Sequence, residues 1–139
     1  MVMGNLFFGL HFAASWGMVA IIWFVQINQY PLLRLIDLNN LKKFETANIK
    51  KTERVVIPFM LIELLTGVIL LFKLSYLFYF AFLILLTVWI YTFVAIVPLH
   101  MKLKTTPDQT IVDRLVKKNW VRTVLWTLKG FVVLYLYLS

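Results

Sequence analysis

The sequence has no cysteine, and its 139 residues include only five glycines, four prolines, two histidines and six acidic side chains. Without cysteine there are no disulfides, no thiol catalysis and no cysteine metal sites. The glycines form no phosphate-cradling loop and no Gly-x-Ser-x-Gly elbow, and there is no Ser/His/Asp set, so nucleotide enzymology has no sequence support. Charge is scarce too: 14% of residues are charged, against roughly 25% in soluble domains. Apolar surface is abundant, with 62% hydrophobic residues and a mean hydropathy of +0.86. A soluble core this small would leave much of that surface in water, so the bilayer is the expected solvent.

Four apolar stretches, about Asn5 to Ile27, Val55 to Phe72, Tyr76 to Pro98 and Trp120 to Leu138, are each near the ~20 residues of a membrane-crossing helix. Met1 to Leu10 carries no Lys or Arg, so the first stretch reads as a retained helix and not as a signal peptide. The net charge of +8 is explained by where the cations fall. Arg34, Lys42, Lys43, Lys50, Lys51 and Arg54 lie between the first two stretches. Lys102, Lys104, Arg114, Lys117, Lys118 and Arg122 lie between the third and the middle of the fourth. By the positive-inside rule the loops 28–54 and 99–119 are cytoplasmic, both termini face outward, and the basic balance is topology and not nucleic-acid binding. Lys73-Leu74-Ser75 is short enough to make the second and third spans a tight antiparallel hairpin. The expected fold is therefore all-α: an integral membrane, up-and-down four-helix bundle forming one domain over residues 1–139. Thr106 is the expected N-cap of a helix with Pro107 at its first position. Leu32 to Ile49 suits an amphipathic segment on the inner surface, and Pro98 interrupts the third helix near its inner end.

Ionisable groups inside a span are costly and mark candidate sites. Glu63 lies eight residues past Val55 and Lys129 nine past Trp120. Both helices are entered from the inner side, so the two side chains reach similar depths of ~12 to 14 Å and can form a buried ion pair. Asn119, Arg122, Trp126 and Lys129, spaced 3, 4, 3, share one helical face. Trp16, Trp23, Gln26 and Tyr30 share another, and Trp89, Phe93, Ile96 and His100 a third. Convergence of these faces predicts an inner-half pocket with Gln26, Tyr30, Glu63, His100, Asn119, Arg122 and Lys129, walled by Trp23, Trp89 and Trp126. His11 and His100 fall towards opposite membrane faces, and no Glu-x-x-His pair accompanies them, so no metal centre is expected.

His11-Phe12-Ala13-Ala14-Ser15-Trp16, Ile22 to Gln26 with Tyr30-Pro31, Pro58 to Glu63, Thr92 to His100, and Asn119 to Thr123 with Trp126 resemble a family of small, uncharacterised bacterial four-helix membrane proteins. That resemblance spans most of the chain and implies a shared site at Gln26, Glu63, His100, Asn119 and Arg122. Thr92, Pro98 and the polar residue two beyond, followed by Trp, Asn and Arg-Thr, are more distantly similar to anthrone-oxygenase-like membrane proteins, which oxidise polyketide aromatics. His11 near Trp16-Gly17, Tyr30-Pro31, and Pro58 with Met60, Gly67, Leu70 and Leu71 resemble the four-helix haem-binding protoporphyrinogen oxidase, which implies His11 or His100 as a lone axial haem ligand. The expected function is that of an inner-membrane protein whose pocket binds or oxidises a small apolar or quinone-like molecule. The alternatives are a structural or accessory subunit of a larger membrane complex and a haem-binding oxidase-like protein. The expected partners are the lipid bilayer, a small apolar ligand, and a homo-oligomer or membrane-complex partner.

Overall fold

A computed structural model describes residues 2–72 and 75–139, with side chains from Leu6 onward. The chain is helical, with no strand among the described residues. Four helices are long and apolar enough to cross a membrane: α1 (Leu6–Leu35), α2 (Leu38–Leu71), α3 (Tyr76–Thr105) and α4 (Gln109–Leu138). Contacts fix an antiparallel order. His11 of α1 meets Thr66 of α2 and Lys129 of α4, while Gln29 meets Asn48 and Gln26 meets Asn119. α1 packs against α2 and α4, α4 also packs against α3, and α2 meets α3 mainly at the end of α3 that carries His100. Lys73 and Leu74 of the expected hairpin turn lie outside the described residues.

The expected basic loops are largely helix. With 34 residues α2 is ~51 Å long, well beyond the ~30 Å hydrocarbon thickness. The amphipathic stretch expected on the inner surface is therefore corrected, because from Leu38 onward it belongs to the same helix as the apolar span. The physical reason is a second core at this end. Leu33, Leu41, Leu99, Leu103, Val112 and Leu115 bury against one another and hold all four helix extensions together. The α4 start is corrected as well. Asp108 is the N-cap, its carboxylate accepting from the Thr110 N–H at 2.8 Å, and Pro107 precedes the cap. That backbone bond holds the Asp108 carboxyl below its usual range.

Pro98 does not break α3. Thr92–Ile96 widens into a π-turn, with the Val97 N–H donating to the Thr92 carbonyl, and the helix then runs on through Pro98. α1 repeats the device: Val25–Gln29 is a π-turn closed by the Tyr30 N–H on the Val25 carbonyl, two residues before Pro31. A proline ring clashes with the carbonyl four residues back, and a widened turn relieves that clash. Both π-turns flank the cavity described below.

Two crossings depend on small residues. A Cβ on Gly130 would sit 2.8 Å from Val19 Cγ2, and one on Gly17 would sit 2.5 Å from the Phe59 ring. Gly130→Ala is expected to destabilise the bundle by about 1–3 kcal/mol by forcing α1 and α4 apart, read as a lowered thermal midpoint in detergent. Gly9→Ala, where nothing lies within 4 Å, is the neutral control.

Candidate functional site

The polar face of α4 runs ten residue steps from Asn119 to Lys129, or ~15 Å of helix, too long to serve one pocket. The structure divides it in two. Lys129, wholly buried, has its ammonium 2.6 Å from Glu63 Oε1, 2.7 Å from Ser15 Oγ and 3.3 Å from His11 Nε2. Three acceptors match the three N–H groups of an ammonium. With Nε2 accepting, His11 Nδ1 carries the proton and donates to Thr66 Oγ1 at 2.9 Å, and Thr66 donates onward to the Ile62 carbonyl. The ring of Trp126 lies 5.9 Å from the ammonium. The cluster is closed except at Glu63 Oε2, which has no partner among the described residues.

The second group lies towards the opposite end. A cavity of about 260 Å³ is lined by Tyr30, His100 and Arg122 together with apolar side chains such as Met18, Ile22, Met60 and Ile96. His100 Nδ1 faces the carboxylate of Glu45, which fixes the ring proton there, and in the neutral ring Nε2 accepts from the Tyr30 hydroxyl at 2.9 Å. Glu45 is fully buried. Arg122 and Glu45 both lie close enough to the Tyr30 hydroxyl for their opposite charges to act on it. Behind Arg122 runs a ladder of amides. Arg122 Nη1 donates to Asn119 Oδ1 at 3.0 Å, Asn119 Nδ2 to Gln26 Oε1 at 2.9 Å, and Gln26 Nε2 to the Val116 carbonyl at 3.2 Å. On the other wall Gln29 donates to Asn48 at 2.5 Å and to Thr52 at 3.0 Å, tying α1 to α2.

The expected pocket set therefore needs correction. Tyr30, His100 and Arg122 line the cavity, and Gln26 and Asn119 support Arg122 from behind. Glu63 and Lys129 belong to the separate cluster. Trp126 is buried in an apolar layer with Met18, Ile22, Met60, Leu85 and Val88, which lies between the two polar groups, and half-buried Trp89 packs against that layer. Trp23 is 37% exposed, bonds Thr127 at 3.0 Å and lies edge-on to Trp120, and it is not among the residues that line this cavity.

The chain matches no protein-family model, no curated protein and no solved structure.

Among the described residues no group of three or more His, Cys, Asp or Glu is placed to hold a metal ion. The histidines do not fit the axial haem role that resemblance implied. Both ring nitrogens of His11 are engaged by Thr66 and Lys129, and both of His100 by Glu45 and Tyr30. Sequence reasoning missed His11, Ser15 and Thr66 as partners of the ion pair, and Glu45 as partner of His100. The signal for Glu45 was available: Leu41, Glu45, Asn48 and Thr52 follow a 4, 3, 4 spacing along one face that continues into the apolar part of α2.

Proposed function

We propose that the chain is a multi-pass protein of the bacterial inner membrane, with both termini outside, whose cavity binds a small apolar, quinone-like molecule through an oxygen-bearing head. The cation distribution supports this orientation, since the end of the bundle that holds the cavity also holds the basic helix extensions. The observation that carries the binding reading is Arg122. It is 7% exposed, lines the cavity, and forms no ion pair among the described residues. A mostly apolar cleft with a few convergent polar groups is the usual form of a small-molecule site. The mouth supports entry from lipid, because the lining residues Ile57 of α2 and Phe93, Val97 and Met101 of α3 are all exposed.

Native mass spectrometry of the gently solubilised protein tests this reading. Wild type is expected to retain a small molecule, and Ile57→Trp, which fills the mouth from an already exposed position, is expected to lose it while staying folded, with a melting temperature equal to that of delipidated wild type. An empty wild-type cavity beside a stoichiometric protein partner would favour the accessory-subunit alternative instead.

A further inference from the structure

A buried guanidinium needs its charge matched, and a protein usually supplies a carboxylate for that purpose. Around Arg122 this chain supplies neutral amides. Of its three nitrogens Nη1 donates to the side-chain carbonyl of Asn119, the guanidinium also faces the Tyr30 hydroxyl, and Nε is buried with no partner among the described residues. The nearby buried carboxylate, Glu45, is committed to His100 through one oxygen, and Asn48 Nδ2 lies 3.5 Å from the other. At the mouth Glu53 and Lys104 carry opposite charges, so they give the cavity no net sign.

We infer that the cavity is a site for a single-chain amphiphilic carboxylate, its head forked onto Arg122 and its chain running out through the apolar α2/α3 mouth. This rests on the reading that the cavity binds a small molecule through an oxygen-bearing head, and replaces the neutral, quinone-like head by a carboxylate. Arginine presents parallel N–H groups that match a carboxylate in a bidentate pair, and the Asn119–Gln26 ladder holds the guanidinium in a fixed plane for that contact. Tyr30, on the same wall, gives its hydroxyl proton to His100 and turns its oxygen towards Arg122, so it helps to hold the guanidinium and leaves the head to the arginine. The cavity's 260 Å³ takes a head and the first part of a chain. The remaining carbons pass the exposed side chains of Ile57, Phe93 and Val97 into lipid. A neutral head would leave the Arg122 charge unmatched.

The test uses delipidated full-length protein in nanodiscs and three probes: palmitate, hexadecanol and decylubiquinone. Palmitate is expected to bind at least tenfold more tightly than hexadecanol, which has the same chain and no charge. Arg122→Gln is expected to reduce that preference to about twofold or less, and Arg122→Lys to keep part of it. Equal binding of palmitate and hexadecanol by wild type overturns the inference whether or not the variants fold. Decylubiquinone binding without palmitate binding also overturns it but leaves the ligand-binding reading standing, whereas failure of all three probes removes both.

Discussion

Lys129→Met is expected to be the most damaging single substitution in the chain. It removes the cation from a wholly buried ion pair and strands the Glu63 carboxylate, one of whose oxygens already lacks a partner. Breaking a buried pair from one side typically costs about 3–5 kcal/mol, because the surviving charge keeps its desolvation penalty and loses its compensation. The same reasoning makes the double variant Glu63→Gln/Lys129→Met milder than Lys129→Met alone, since no net charge is then left buried. Unfolding the wild type, both single variants and the double variant in one detergent gives the coupling energy directly. A double variant as unstable as the sum of its parents would show that the pair is not the cluster's main term. Because the pair is remote from the cavity wall, Glu63→Gln is expected to lower stability while leaving small-molecule retention in the folded fraction unchanged.

His100→Ala is expected to have the second large effect, on both stability and binding. Glu45 is 0% exposed, and without His100 its remaining partner would be Asn48 Nδ2 at 3.5 Å. An unsatisfied buried carboxylate makes a loss of about 3 kcal/mol the expected magnitude. Tyr30 simultaneously loses the acceptor of its hydroxyl. Tyr30→Phe removes only that one hydrogen bond and is expected to cost about 1 kcal/mol. Thermal midpoints of the two variants give the ratio. The binding consequence separates the residues further: His100→Ala frees the Tyr30 ring and is expected to lower small-molecule retention at least tenfold, whereas Tyr30→Phe keeps the ring in place and loses less. Equal effects of the two variants would remove Glu45 from this account.

The four helices were legible because each carries an apolar run of the right length, and antiparallel order was legible because only Lys73-Leu74-Ser75 separates the second and third runs while the cations fall in the two other links. The Glu63–Lys129 approach could be anticipated from depth alone, since both residues lie the same number of turns from the basic ends. Three features were hidden for physical reasons. His11 joins the pair because a lysine side chain reaches several ångströms along a helix, which residue counting ignores. Glu45 was obscured by its neighbours Lys42, Lys43 and Phe44, which make the stretch look like a surface segment. Its burial depends on α3 continuing through Pro98, and the π-turn that permits this leaves no simple spacing in the sequence. The single expected pocket divides in two because a shared helical face is not a shared location, and ~15 Å of axis separates the two ends of that face.

The apolar layer of Met18, Ile22, Met60, Leu85, Val88 and Trp126 has an electrical meaning in the proposed membrane setting. Polar side chains lie on both sides of it, and among the described residues it offers them no hydrogen-bonding path across, because the indole N–H of Trp126 itself has no partner there. Such a layer works as the insulator of the bundle. Under a transmembrane potential, worth about 2.3 kcal/mol per elementary charge per 100 mV over the full thickness, this dry plane would carry part of the drop. A molecule resting against Arg122 would exchange protons with the side of the basic helix ends alone, and the chain could hold a buried ion pair and a charged cavity along one helix without short-circuiting the membrane.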